Sequence, residues 1–265
     1  MKVYISADIE GVNGINSWSE TELNNPDYEY FRKRMTEEVK SACLGASRAN
    51  ASIIFVKDAH DSARNIIPNA LPSNVILHRG WEGCLCSMMA GLDKSYDAVV
   101  FIGYHSPSRS SGNSLSHTMN TSLYHIKING KIASEFYINA LYASYLNVPI
   151  AFLSGDEELT KQVKEENENI TTVVTKIGHY GATISKHPSV TDKEIEDKVY
   201  KALTNNLKNN KIILPRHFDI EIAYKNPIDA YNASFYPGCK LLGNNKVIYA
   251  NDDYYEVLRM FKFCL

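Results

Sequence analysis

Three apolar runs in the first 105 residues each end in carboxylate or imidazole side chains, and this recurrence constrains the chain more than any other feature. The run 3–9 is rich in strand formers and closes on Asp8 and Glu10. The run 53–56 leads to Asp58 and His60, and the run 98–102 leads to His105. Residues two apart on a strand share a side, so Asp8 and Glu10 are expected to aim at one point. Two carboxylates at one point repel each other unless they share a proton or hold a cation. Taken alone, the pair fits a metal or active site and equally fits a strand-end turn, where acids are common. The glycines that follow, Gly11 and Gly14, let backbone and ligand come close. In an open parallel sheet the ligand site lies beyond the carboxyl ends of the strands. If the three runs are neighbouring strands, their terminal side chains converge.

The remaining pattern supports such a sheet. Residues 26–49 read as a helix with apolar positions Phe31, Met35, Val39, Ala42 and Ala46. Further strands are expected at 75–77, 148–153 and 171–175. Further helices are expected at 83–92, at 136–146 opened by Glu135, after Gly155-Asp156, and from a Thr191-Asp192 cap to about 207. Asn129-Gly130 predicts a β-hairpin, and 106–114 reads as a flexible loop. From residue 211 the character changes to an alternating strand at 218–224, a hairpin at 241–249 and an amphipathic helix at 252–263. The expected fold is α/β, a mostly parallel sheet flanked by helices over 1–210, with a smaller C-terminal α+β subdomain over 211–265.

Composition narrows the function classes. The net charge of −2 gives no global field for nucleic acid or an anionic membrane. No stretch approaches ~18 uninterrupted apolar residues, so no membrane span is expected, and no signal peptide precedes the first strand. Five irregularly spaced cysteines do not form a disulfide framework. Cys84-Leu85-Cys86 is too close-set for a zinc ribbon, so the cysteines are read as reduced thiols in a cytoplasmic protein. Gly11-Val12-Asn13-Gly14 matches neither a dinucleotide fingerprint nor a P-loop. Imidazole and carboxylate are common zinc ligands, so His60 and His105 join Asp8 and Glu10 as candidates. His117, between Ser116 and Thr118, is a candidate acid–base group, and a polar loop histidine fits it equally. Glu135, by itself, reads as a helix N-terminal residue favourable to the dipole.

An ordered set of stretches resembles the M55 family of zinc-dependent D-aminopeptidases. These are Asp8-Ile9-Glu10-Gly11 with Gly14, Met35-Thr36-Glu37-Glu38, Asp58-Ala59-His60, Gly103-Tyr104-His105, Ser116-His117-Thr118-Met119, Glu135 with Asn139-Ala140, Gly155-Asp156 and Pro237-Gly238. The resemblance spans nearly the whole chain and is densest up to Asp156. It implies two zinc ions per chain: Asp8 bridges them, Glu10 and His105 complete one site, and His60 and Glu135 complete the other. It implies that His117 is catalytic, that the substrate is a short peptide, and that the protein forms a decameric ring of identical subunits. Lys57, and Phe136-Tyr137 after Glu135, depart from the family pattern and are expected to reshape the pocket. Two other readings remain at this point: another two-metal hydrolase, an amidohydrolase or phosphoesterase, and a non-catalytic metal-binding assembly protein.

Overall fold

Apolar alternation along the first strand divides the molecule into two cores. A computed structural model describes residues 1–265. In β1 (Lys2–Ala7), Val3 and Ile5 face one side and Tyr4 the other. β2 (Ile53–Asp58), β3 (Val75–His78) and β4 (Ala98–Tyr104) follow, with α1 (Tyr28–Arg48) crossing between the first two strands. β5 (Leu123–Ile128) and β6 (Lys131–Ile132) form the hairpin that Asn129-Gly130 predicts, before α2 (Glu135–Tyr145). Then come β7 (Ile150–Asp156), α3 (Glu157–Glu166), β8 (Thr171–His179), β9 (Ala182–Ser185) and α4 (Pro188–Thr204). The chain ends in β10 (Phe218–Tyr224), α5 (Pro227–Ala233), β11 (Lys240–Leu242), β12 (Lys246–Asn251) and α6 (Tyr254–Cys264).

The larger sheet has the order β3-β2-β1-β4-β7-β8-β9. Every neighbouring pair is parallel except β8 with the edge strand β9. The chain builds outward from β1 through β2 to β3, then returns to lay β4 on the other side of β1. The reversal falls between β1 and β4, and in open α/β sheets a ligand crevice opens at such a switch point. The mostly parallel, helix-flanked α/β fold expected from the sequence is therefore present.

One face of this sheet packs Val3, Ile5, Val56 and Val100 against α1 and α4 through Met35, Val39 and Val199. The other face packs Tyr4, Val99 and Phe101 against Phe136 and Leu141 of α2, and that core continues into a second, antiparallel sheet of order β11-β12-β10-β5-β6. The C-terminal strands are thus completed by β5 and β6 from the earlier part of the chain: Ile220 to Tyr224 register against Ile128 to Leu123. No helix is long and apolar enough to cross a membrane.

Local expectations are corrected in four places. β1 ends at Ala7, so Asp8 and Glu10 lie in the turn beyond it rather than on the strand. The helix expected over 83–92 is a single 3-10 turn at Ser87–Met89, because Ser87 and Gly91 have φ of +44° and +88° and interrupt it. α4 begins at Pro188 with His187 as its cap. Thr191 and Asp192 point across to the first loop and to α1, where Thr191 accepts from Asn13 and Asp192 pairs with Arg34. The loop 106–114 is tied down at its ends, with Ser106, Ser108 and Asn113 buried and hydrogen-bonded, while Arg109 and Ser111 at its tip are exposed.

Two glycines let the ends of β1 and β4 cross in contact. Gly11 N donates to Gly103 O at 2.8 Å. A Cβ at Gly11 would fall 1.8 Å from Tyr104 O, and one at Gly103, where φ is +69°, would fall 2.3 Å from Asp8 O. Both obstacles are backbone, so neither can move aside. Gly11→Ala is expected to cost about 1–3 kcal/mol through overpacking. Gly181→Ala, which meets nothing within 4 Å, should stay within about 0.5 kcal/mol of wild type. Urea unfolding midpoints of the two variants check this, and equal midpoints would remove the crossing as a constraint.

Candidate metal centre

Because β1 lies between β2 and β4, the residues just past the three strand ends meet. Asp8 and Glu10 come from β1, His60 from β2 and His105 from β4. Glu135 enters from the first turn of α2, which Ser134 caps by accepting from Tyr137 N. His117 arrives on the loop between β4 and β5. Asp8, Glu10 and His105 offer ligand atoms within 4.8 Å of one another, and so do His105, His117 and Glu135. Five of the six candidates therefore fall in one cluster, and His60 joins it through Asp8 and Glu10. His60 Nδ1 stands 3.1 Å from Glu10 Oε2 and 3.3 Å from Asp8 Oδ1. His105 Nε2 stands 3.5 Å from Asp8 Oδ2 and 3.5 Å from Glu135 Oε2. Asp8 thus turns one oxygen toward each histidine, as a bridging carboxylate requires.

Each imidazole has its tautomer set by a backbone carbonyl, which can only accept. His60 Nε2 donates to Thr21 O, His105 Nδ1 to Ser106 O and His117 Nδ1 to Leu115 O, each at 2.9 Å. The other nitrogen of each ring is left facing the cluster. This is how metal-ligating histidines are oriented from behind. Asp8 Oδ2, Glu10 Oε2 and His105 Nε2 are buried without a hydrogen-bond partner. Orphaned buried polar atoms are costly. Two carboxylates and an imidazole orphaned together form a hard-oxygen and nitrogen donor set suited to a divalent cation such as zinc. The residues present fit the metal.

Without a metal, protons carry the compensation. Burial, then the Glu10 carboxylate, push Asp8 up to about 8. Burial opposes a charged His105, but Glu135, then Glu10 and Asp8, together outweigh it and hold the ring at about 10. Burial likewise opposes charge on His60, and Glu10 raises it well above the usual imidazole value. Burial alone would raise Glu10 and Glu135, but His60 and His105 respectively hold them below the ordinary carboxylate range. His117 goes the other way, lowered by burial and then by the charge on His105, on which it stacks at 4.4 Å.

The surrounding loops are tied to this cluster. Asn113 Nδ2 donates to Glu10 O and to Asp156 Oδ2, and its own oxygen accepts from Leu115 N, two residues before His117. Asp156 also accepts from Ser106 N and caps α3 through Leu159 N. Glu38 of α1 accepts from Asn13 N at 2.8 Å and holds the turn after Glu10. Met119 N donates to Glu135 Oε1 at 2.7 Å. Asp58 is not in the cluster: it accepts from Asn65 N, Asn65 Nδ2 and Ile66 N, and so shapes the loop after β2.

The cluster opens into a cavity of about 330 Å³. Both of the chain's tryptophans, Trp18 and Trp81, line it. Trp18 stands edge-on to His117 at 5.3 Å. Lys57, one departure from the family pattern, is buried under Trp81 at 4.4 Å and donates to Gly80 O, so it does shape the wall. Phe136 packs on Phe101 in the core, and neither it nor Tyr137 lines the cavity. The pairing of two scarce tryptophans was a sequence signal available for the cavity. The carbonyls of Thr21, Ser106 and Leu115 had none, because any residue supplies a carbonyl.

Metal binding must displace protons from this cluster. At pH 7 Asp8 and His105 are protonated when metal-free, since their values of about 8 and about 10 lie above that pH, and they are deprotonated as ligands. Zinc titration calorimetry in buffers of different ionisation enthalpy should show release of more than one proton per chain, and affinity should rise with pH between about 6 and 8. Binding heats independent of buffer would contradict this site.

Comparison with known proteins places the chain. A family model described as Peptidase M55, D-aminopeptidase, matches residues 1–263. A Bacillus subtilis (strain 168) protein named D-aminopeptidase is 28% identical over 247 residues, 91% of this chain and 88% of that protein. The solved structure of the Zn-dependent D-aminopeptidase DppA from Bacillus subtilis, described as a self-compartmentalizing protease, matches with a TM-score of 0.92 at 26% identity, covering 100% of this chain and 98% of that one.

Proposed function

The chain belongs to the peptidase M55 family of D-aminopeptidases, and from that premise we propose that it is a two-zinc enzyme that removes the N-terminal, D-configured residue of short peptides. The single observation that carries the metal reading is Asp8, buried, with one oxygen toward His60 and the other toward His105. Asp8 would bridge, Glu10 and His105 would complete one site, and His60 and Glu135 the other. Zinc would replace the His60–Glu10 and His105–Glu135 contacts now present. Bound there, the two ions would polarise the scissile carbonyl and acidify a water.

The protein's own contribution centres on His117. Its Nδ1 proton is committed to Leu115 O, burial holds it below the usual imidazole range, and its Nε2 lies on the cluster side, 3.5 Å from Glu135 Oε1. At 14% side-chain exposure it faces the cavity, whereas His105 at 0% does not. Nε2 takes a proton from the attacking water and returns it to the leaving amine. His117 also falls within a ligand-sized triplet with His105 and Glu135, so metal content of its variant separates the two roles.

No lysine or arginine lines the cavity, and Glu22 and Asp61 do. That polarity suits a substrate ammonium and disfavours the phosphoesterase alternative. A non-catalytic metal protein would leave the cavity-facing ring of His117 without a role. The self-compartmentalizing relative supports a closed assembly, which we read as a homodecameric ring, in the cytoplasm.

Zinc-loaded protein should hydrolyse D-alanyl dipeptides in preference to L-alanyl dipeptides, and a chelator or Glu10→Ala should abolish the activity. His117→Ala should keep two zinc ions and lose roughly 10²–10⁴-fold in kcat. Metal-loaded protein that cleaves neither dipeptide would sink the peptidase reading, and loss of a zinc ion in His117→Ala would make that residue a ligand.

A further inference from the structure

The metal cavity continues past its ligands. Trp81, Ser87, Met119 and Asn120 line it and also line a second cavity of about 340 Å³. The two halves differ in chemistry. The first is acidic at its mouth, with Glu22 and Asp61. The second is mostly apolar, walled by Leu85, Ile138, Leu258 and Phe261, and its one cation is Lys262 on α6. Lys262 Nζ stands 4.0 Å from where a Cβ on Gly83 would sit, and the Lys262 side chain is exposed. The two cavities share a wall, one carrying acids beside the candidate metal ligands and the other apolar walls with a single base.

A short peptide has the same polarity, with an ammonium at one end, a carboxylate at the other and side chains between. We propose that the apolar annex is the leaving-group subsite, taking a bulky apolar side chain from the residue after the scissile bond while Lys262 pairs with that residue's free carboxylate. This rests on the aminopeptidase reading above and names its substrate class: dipeptides whose second residue is large and apolar. The orientation follows from charge, because the reverse placement would put the carboxylate against Glu22, Asp61 and Glu10 and the ammonium beside Lys262. The volume suits one aromatic or leucine-sized side chain, within the size range of specific small-ligand pockets.

The test uses zinc-loaded, full-length His117→Ala protein and equilibrium binding by calorimetry, with D-Ala–D-Ala, D-Ala–D-Phe and D-Ala–D-Phe amide as probes. D-Ala–D-Phe should bind at least about tenfold more tightly than D-Ala–D-Ala, from the apolar surface it buries. Adding Leu265→Trp, at the edge of the annex, should erase that difference, and Leu85→Trp provides an independent filling variant should the first not fold. Adding Lys262→Gln should weaken the free acid severalfold and leave the amide unchanged. Equal binding of the two acids, no binding of either, a preference that survives annex filling, or an equal effect of Lys262→Gln on acid and amide would each overturn the proposal. Hydrolysis of D-Ala–D-Phe by zinc-loaded wild type is followed in parallel. Its absence alongside an intact phenylalanine preference in binding would sink the peptidase reading while leaving the annex as a binding site.

Discussion

Three carboxylates packed against three imidazoles, away from bulk water, are the constraint on which the rest of the structure depends. Burying Asp8, Glu10 and Glu135 is unfavourable unless positive charge accompanies them. The metal-free protein supplies that charge as protons on His60 and His105 and as the proton held by Asp8. A divalent cation would supply it more directly, and the orphaned Asp8 Oδ2, Glu10 Oε2 and His105 Nε2 are the atoms it would satisfy. The sheet provides the convergence. β1 is inserted between β2 and β4, and the ends of β1 and β4 touch through Gly11 and Gly103.

Orientation comes from behind the cluster. The carbonyls of Thr21, Ser106 and Leu115 choose the tautomer of each histidine. Asn113 and Asp156 fasten the loops that carry two of those carbonyls. A buried ring held on one side by a fixed acceptor has little freedom to turn away, so the site is organised before a metal arrives. The second core contributes differently. α2 brings Glu135 to the cluster by its first turn, and with α6 it walls the apolar annex through Ile138, Leu258 and Phe261. The same packing that buries the far face of the parallel sheet thereby bounds the cleft.

Much of this was legible in the residues. The three apolar runs with acid or imidazole ends placed Asp8, Glu10, His60 and His105 correctly at one edge, because strand order in a parallel sheet puts ligands beyond the carboxyl ends. Asp58 misled, since a carboxylate ending a strand serves a turn as readily as a metal, and only the amides of Asn65 and Ile66 distinguish the two. Glu135 reads as a helix-start residue from sequence, and it is one; that its carboxylate also reaches His105 depends on where α2 docks. The helix expected over 83–92 failed because apolar content does not reveal a left-handed residue such as Ser87.

The sequence by itself determined the strand and helix periodicities, the α/β class, the chemical identity of the donor set and, through ordered motifs, the family. These are local or compositional properties, written in spacing and side-chain type. Only the tertiary structure decided that the antiparallel sheet draws β5 and β6 together with β10 to β12, and that Asn113 and Asp156 pin the loop of His117. It also decided which nitrogen of each histidine faces the cluster, and that an apolar annex with Lys262 continues the metal cavity. Those features depend on contacts between residues about a hundred positions apart, such as Asn113 with Glu10 and Tyr254 with Ile138. Backbone carbonyls and cavity walls carry no residue-type signature, so they become visible only when the chain is folded.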